Sequence, residues 1–392
     1  MKLIHLSDLH LGKKLNEFPL FDDQKYILQQ IVDIAIEEKP NCILIAGDIY
    51  DKSIPPAEAV LLLDDFLNRL TELSIPVCII SGNHDSAERL AFGSQLMLKS
   101  GVRIADAYDG KVQKVTFADN YGDVNIFLLP FLKPTIVRNA LVRLERNKEA
   151  EEITTYHEAV KKAVELLSID KSQRNVLLAH QFITGAVTCD SEAVNVGGVD
   201  NIGADVFADF DYVALGHIHS PQNVADDERI RYSGTPLKYS FSEIKQQKSV
   251  TVINLGAKGE MNVYVRELTP LRELRHLRGT YNELMQWEAY EAYLKKGENQ
   301  PKDFFYLTLT DEDDVPFALQ SLRIVYKNLL QLDYDNKRTS SDNILKAIDS
   351  VEQKTPIELI KDFYEQRNNQ AMNKQQETYI LKLLEELEGD VR

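Results

Sequence analysis

Five apolar runs of strand length each stop abruptly in a residue type that binds metal, and this constrains the chain more than any other feature. Ile43 to Asp51, ILIAGDIYD, leaves Asp48 just past a strand tip. The arrangement recurs in KLIHLSDLH with Asp8 and His10, in VCIISGNHD with Asn83, His84 and Asp85, in NVLLAHQ with His180, and in DYVALGHIH with His217 and His219. In open α/β sheets ligands gather at the carboxyl ends of strands, so parallel neighbours would bring these five tips to one crevice. A carboxylate has two oxygens and can sit between two divalent cations about 3.5–4 Å apart, which makes Asp48 the candidate bridge of a two-metal phosphoester centre. A single Gly-Asp is an ordinary turn, and a single histidine is ordinarily a core or surface residue. The ordered series is neither. It holds five of the eight histidines, leaving out only His5, His157 and His276.

The motifs D-x-H (8–10), G-D (47–48), G-N-H-D (82–85), H (180) and G-H-x-H (216–219) resemble the calcineurin-like metallophosphoesterase superfamily. Longer stretches narrow the resemblance. HQFITGAVTCDSE (180–192), GGVDNIGADVFADFDYVALGHIHSPQ (197–222) and YSGTPLKYSFSE (232–243) are similar to the SbcD family, nuclease subunits of bacterial SbcCD complexes. The likeness is strong over the first ~270 residues and weaker beyond. It implies one metal on Asp8, His10, Asp48 and His219, and a second on Asp48, Asn83, His180 and His217. It also implies that His84 faces the scissile phosphate, stabilising charge or protonating the leaving oxygen, with Asp85 as a residue that could orient it. Where some relatives carry a second catalytic-site histidine, three residues after Asp48, this chain has Asp51.

Mixed nitrogen and oxygen ligands suit Mn²⁺, the ion the resemblance implies, and the lack of thiolate ligands argues against a closed zinc site while leaving a catalytic zinc or iron open. The cysteines Cys42, Cys78 and Cys189 have no metal-type spacing, and the first two lie within apolar runs as small buried hydrophobes. Forty-five basic and 61 acidic side chains give a net charge of −16, which opposes general attraction to DNA. Bound metals and a partner's contacts would offset that. Two basic clusters, Lys133, Arg138, Arg143, Arg146 and Lys148, and Arg266, Arg272, Arg275 and Arg278, read either as phosphate contacts or as solvated helix faces. No secretion-type segment or apolar stretch of membrane-spanning length is present, so the expectation is a cytoplasmic protein with no membrane association.

The fold expected is α/β: a two-sheet sandwich flanked by helices over residues 1–268, a small α+β capping domain over 269–340, and a linker with a helical pair over 341–392. The opening reads as strand, helix 22–38, strand, helix 56–70, strand, helix 86–99. IRYSGTP and KSVTVINL read as closing strands, antiparallel if their turns are short. Leu62 falls within a polar stripe of Glu58, Asp65 and Arg69, as though helix 56–70 served two partners. The resemblance implies a homodimer through helices 56–70 and 86–99. In the tail, Thr355-Pro-Ile-Glu358 is a capping box, and Ile380, Leu383, Leu384 and Leu387 share a helix face. Such helices dock either on their own domain or, as the resemblance implies, on an SbcC-type ABC ATPase.

Three functions compete: a Mn²⁺-dependent DNA nuclease, exonucleolytic on double strands and endonucleolytic on single strands and hairpins, working with that ATPase in recombination and repair; a stand-alone phosphodiesterase or phosphatase for nucleotides or phosphoproteins; and a non-catalytic scaffold. The ~120 residues beyond the catalytic unit argue against the second. The complete ligand set argues against the third.

Overall fold

The structure, a computed structural model, describes residues 1–192, 201–286, 302–313, 315–336, 357, 360, 361, 364 and 372–389, the last six of these as backbone alone. The chain forms two compact units, Met1–Arg272 and Glu273–Arg392.

The first unit opens with β1 (Lys2–Leu6), a short hairpin of β2 (Lys14–Leu15) and β3 (Phe18–Pro19), α1 (Phe21–Glu38), β4 (Cys42–Ala46), α2 (Ala57–Glu72) and β5 (Val77–Ile80). After α3 (Ala87–Leu90), α4 (Ser94–Met97) and β6 (Val102–Ile104), a hairpin of β7 (Gln113–Asp119) and β8 (Gly122–Leu129) begins a second sheet. Helices α5 (Pro134–Arg143), α6 (Asn147–Glu152) and α7 (Tyr156–Glu165) precede β9 (Arg174–His180) and β10 (Tyr212–Gly216). Strands β11 (Gln222–Val224), β12 (Asp227–Tyr232), β13 (Ser249–Leu255) and β14 (Met261–Glu267) complete the unit.

The strand orders are β14-β13-β1-β4-β5-β6 and β11-β12-β10-β9-β8-β7. Strands β1, β4, β5 and β6 run parallel, as do β8, β9, β10 and β12. Parallel strands covered on both faces need continuous apolar sequence rather than alternation, and CILIA, VCII and YVALG supply it with every residue buried. The sheets pack face to face through Leu3, Cys42, Leu44, Cys78 and Ile80 on one side and Val124, Ile126, Val176, Leu178 and Tyr212 on the other. Cys42 and Cys78 are free thiols inside this layer, as expected. The outer face of the second sheet, Phe127, Leu177, Val213 and Leu215, is covered by Val137, Leu141, Val160 and Ala163 of the α5–α7 layer.

Several local expectations are corrected. Segment 86–99 is not one helix: α3 ends by Ala91, and Gly93, in the left-handed region at φ 77°, caps α4. Only glycine takes that conformation without strain. Strand β12 lies parallel to β10, because the additional strand β11 makes the antiparallel turn. In the α5–α7 layer, where nothing is overturned, α7 is begun by a Thr155/Glu158 capping box. Leu62 is 5 % exposed and packs within the protomer, whereas Leu61 is 68 % exposed. The buried face of α2, Ala59, Leu62, Leu63, Phe66, Leu67 and Leu70, follows i, i+3, i+4, i+7 spacing with Leu62 on it.

In the second unit β15 (Leu274–Gly279), β16 (Phe304–Leu309) and β17 (Leu329–Tyr334) form a three-stranded parallel sheet. Leu277, Phe305 and Leu307 pack on Leu284 and Leu322 from the helices Tyr281–Met285 and Ala318–Val325 and on Tyr326, which caps the second. The Thr355/Glu358 box lies outside the described residues, as do the side chains of Leu384 and Leu387. A helix spans Lys374–Gly389. Asn373 and Gln376 cap its start reciprocally at 3.0 Å. Lys361 pairs with Glu377 and Tyr364 accepts from Gln376, so the two tail segments touch. Tyr379, Leu381 and Leu383 are exposed. No helix among the described residues is long and apolar enough to cross a membrane.

Candidate metal centre

The five strand tips meet. Strands β1, β4 and β5 of one sheet and β9 and β10 of the other end on the same crevice, and Asp8, His10, Asp48, His180, His217 and His219 are all buried there. Asp8, His10, Asp48 and His217 are non-glycine residues with φ of 52°, 44°, 48° and 102°. Each such conformation costs on the order of 1–3 kcal/mol and persists only where surroundings impose it. The Asp8 N–H donates to Gly47 O at 3.1 Å and the His10 N–H to Asp48 O at 2.9 Å, so the β1 and β4 loops continue side by side beyond their strands. The His217 N–H donates to the Asp8 carboxylate at 3.0 Å and ties the two sheets together. The glycines of the motifs have a steric reason: a Cβ at Gly82 would collide with Asp48 Oδ1, and one at Gly216 with Ala46 O.

Asp48 sits at the centre. Its Oδ1 accepts the His84 N–H at 2.9 Å, while Oδ2 lies 3.4 Å from His180 Nε2 and 3.8 Å from His10 Nε2. His180 donates Nδ1–H to Ala46 O at 2.7 Å, so its Nε2 faces two acceptors, Asp48 and Asn83 Oδ1, the latter at 2.9 Å. Asn83 Oδ1 is also 2.9 Å from His217 Nδ1. His10 Nε2 and His219 Nε2 face each other at 3.2 Å, and His10 Nδ1 has no hydrogen-bond partner among the described residues. Lone pairs converging in this way demand a proton or a cation. Among the described residues four overlapping sets, Asp8/His10/His219, Asp8/Asp48/His180, His10/Asp48/His84 and Cys189/His219/Glu243, hold ligand atoms within reach of a common ion.

The electrostatics agree. Burial pushes Asp8 up to about 8, with Asp48 adding repulsion. Burial opposes ionisation of Asp48 too, yet His180, His10 and His84 hold its carboxyl well below the usual range. Burial keeps His10 and His217 neutral, near 3, and His219 well below its ordinary value. Burial also disfavours a charged His180, but Asp48 and Asp8 outweigh it and raise this imidazole to about 9. Three neutral imidazoles, a fourth whose proton a cation would replace, and desolvated carboxylates form a donor set that fits divalent cations.

His84 lies at the mouth, half-buried, with Nδ1 2.9 Å from the main-chain carbonyl of Asp51 and Nε2 4.0 Å from Asp48 Oδ2. Asp85 does not orient it. Its carboxylate accepts the N–H groups of Ile49, Tyr50 and Gly82 at 3.1, 2.9 and 2.9 Å, which makes it a brace between the β4 and β5 loops. Asp51 pairs with Lys13 at 2.8 Å and brings a carboxylate oxygen to 3.8 Å from His10 Nδ1. Lys13, Ser191, Glu192 and Glu243 also border the site, and no motif spacing announces them; the last three fall in CDSE and SFSE, whose chemistry becomes legible only once the loops are folded together. The basic cluster after residue 265 is paired internally: Arg266 with Glu37 and Glu38, Arg272 with Asp23, Arg275 with Asp303, and Arg278 with Asp335. Lys133, Arg138, Arg143 and Lys148 are exposed.

Two sheets packed face to face, with buried histidines and aspartates at their shared carboxyl edge, define a calcineurin-like phosphoesterase, and the model of that family matches residues 1–221. The chain belongs within it to the SbcD family. It is 34% identical over 391 residues to the SbcD protein of the SbcCD nuclease from Staphylococcus epidermidis, covering 98% of both chains. Residues 270–368 match the type 5 capsule protein repressor C-terminal domain. Among solved structures, phosphopantetheinyl hydrolase from Mycobacterium tuberculosis aligns with 60% of this chain and 90% of its own at 15% identity and a TM-score of 0.35. A dimetal phosphatase from Danio rerio aligns with 68% and 96% at 11% identity and a TM-score of 0.41.

Proposed function

We propose that the chain is the DNA nuclease subunit of an SbcCD-type complex, a two-metal phosphodiesterase in which Asp8, His10, Asp48 and His219 hold one ion and Asp48, Asn83, His180 and His217 the other. One observation carries this: a single buried carboxylate oxygen, Asp48 Oδ2, lies between His180 Nε2 at 3.4 Å and His10 Nε2 at 3.8 Å. Mn²⁺ is the ion the mixed nitrogen and oxygen donors suit. Bound there, the pair of ions supplies Lewis acidity and a water of lowered pKa. The remaining work falls to the chain. His180 and His219 are held by Ala46 O and Ser191 so that one nitrogen of each faces the reaction. His84 presents Nε2 to the phosphate, where a ring protonated on both nitrogens would stabilise charge or give its Nε2 proton to the departing oxygen. Exposed Lys133, Arg138, Arg143 and Lys148 offer phosphate contacts in a chain of net charge −16. Purified protein with Mn²⁺, and then with EDTA, on end-labelled duplex DNA beside a chromogenic phosphodiester tests the reading. Hydrolysis of the chromogenic ester alone would replace it with a small-substrate phosphodiesterase. The whole-length similarity, tail included, favours the complex-forming subunit, acting in the cytoplasm.

A homodimer through segments 56–70 and 86–99 fits the exposed apolar side chains they carry, Leu61, Phe92 and Leu96, at 68, 84 and 75 %. Leu61→Asp with Leu96→Asp should halve the mass seen by light scattering without lowering the melting temperature. Leu62→Asp should instead destabilise each protomer by several kcal/mol, since a charge is then buried without a partner. A double variant that stays dimeric would exclude this seam.

The tail is assigned to the ATPase. Helix Lys374–Gly389 leaves Tyr379 and Leu383 exposed at i, i+4, an apolar pair of the kind that enters a partner's groove. Tyr379→Glu with Leu383→Glu should abolish co-purification with an SbcC-type ATPase at unchanged melting temperature and Mn²⁺ nuclease activity. If the helix docks on its own domain instead, the melting temperature falls without the partner.

A further inference from the structure

We propose that Ser191 and Glu243 are positioning residues for His219: a buried carboxylate–hydroxyl–imidazole chain fixes its tautomer and aims Nε2 into the metal centre. The inference rests on the reading of His219 as a ligand. Glu243 ends the turn Phe241–Glu243 and is fully buried. Its Oε2 is 2.6 Å from Lys248 Nζ, and its Oε1 accepts the Tyr239 N–H at 3.2 Å, so both oxygens face donors and act as acceptors. Ser191 Oγ lies 2.6 Å from Glu243 Oε1 and must donate to it. That spends its only hydrogen. The contact between Ser191 Oγ and His219 Nδ1, also 2.6 Å, can therefore form only if Nδ1 carries the hydrogen, which leaves the Nε2 lone pair facing His10 Nε2 at 3.2 Å.

The backbone of His219 is gripped by the same loops. Its N–H donates to Glu192 Oε1 at 2.6 Å, and its carbonyl accepts from Lys248 Nζ at 2.8 Å. CDSE and SFSE thus act as one clamp on the GHxH turn, although Ser191 and Glu243 are separated by 52 residues. Partners that orient a ligating imidazole set its tautomer and raise its basicity, and removing one commonly costs about 10–100-fold in metal affinity.

Ser191→Ala is the discriminating variant, because it cuts the chain while leaving the Glu243–Lys248 pair intact. Full-length protein stripped of metal is titrated with Mn²⁺, and ¹⁵N-histidine NMR of the metal-free form reports the His219 tautomer. One of two Mn²⁺ sites should weaken by about 10–100-fold, the Nδ1–H form should lose its dominance, and Ser191→Thr should restore both. His219→Ala run alongside should lose the same site. If His219→Ala weakens one site while Ser191→Ala binds two ions as tightly as the parent and keeps the tautomer, the positioning role is overturned and the ligand reading stands. If His219→Ala itself keeps both sites, both are overturned. A lowered melting temperature of the metal-free Ser191→Ala protein, with both sites weakened together, marks a structural staple and also overturns the proposal.

Discussion

Asp48→Ala should strip both metal ions from the protein and reduce nuclease activity to background, whereas loss of any unshared ligand should weaken one site. Its Oδ2 lies 3.4 Å from His180 Nε2 and 3.8 Å from His10 Nε2, one histidine of each set. Opposing effects meet in the metal-free crevice: burial and repulsion from Asp48 raise Asp8 to about 8, while His180, His10 and His84 hold Asp48 itself well below the usual carboxylate range. Removing Asp48 relieves that repulsion but takes from His180 the carboxylate that raises it and from the His84 N–H its acceptor, so the metal-free variant should fold but melt below the metal-free parent. The bridge is tested on adding Mn²⁺. A ligand at 100 times its Kd adds about 2.7 kcal/mol of stability per site, which the parent should gain and the variant should not. Asp48→Asn keeps an acceptor for the His84 N–H, and separates loss of that contact from loss of charge. Elemental analysis gives the count, and two ions retained in the alanine variant would sink the bridging assignment.

The strand tips were legible because parallel, doubly covered strands are written as unbroken apolar runs, so a polar residue ending such a run marks the sheet's edge. Asp8, Asp48, His180 and His217 could be picked out on that ground alone. The role of Asp85 could not, since the three N–H groups it accepts belong to residues 49, 50 and 82, and adjacency to His84 pointed the wrong way. Distance along the chain hides partners. Ser191 and Glu243 escape for the same reason, and so does the Lys13–Asp51 pair, 38 residues apart.

Leu62 was misplaced for a different reason. Charged residues at 58, 65 and 69 flank it in projection, but the buried stripe of α2 is wide enough to include it, and Leu61 next door is the one left in solvent. A one-residue rotation of a helix decides between core and interface, and only the helix's neighbours fix it. The direction of β12 likewise depends on a three-residue strand, β11, too short to leave a pattern. At residues 86–99 apolar spacing suggested continuity, while Gly93, the local breaker, had the final word.

His84→Gln should leave two bound ions and an unchanged melting temperature, and slow cleavage of DNA by roughly 10²–10⁴-fold, the span expected when a general acid is lost. The ring is held from behind: its Nδ1 lies against the Asp51 carbonyl at 2.9 Å and donates there, which leaves Nε2 to point outward. That nitrogen is 4.0 Å from Asp48 Oδ2, and the ring is the more exposed of the two, at 28 % against 2 %. Such a group can reach a substrate without being spent on a metal. Glutamine retains length and a hydrogen-bond donor but cannot surrender a proton. Comparison of leaving groups then separates the two roles open to the imidazole. A nitrophenyl phosphodiester departs as a stable anion and needs little protonation, so the variant should lose far less on it than on DNA, whose leaving oxygen is a sugar alkoxide. Equal losses on both substrates would mean that His84 stabilises charge on the phosphate instead, and a variant that lost metal would remove it from catalysis and place it among the ligands.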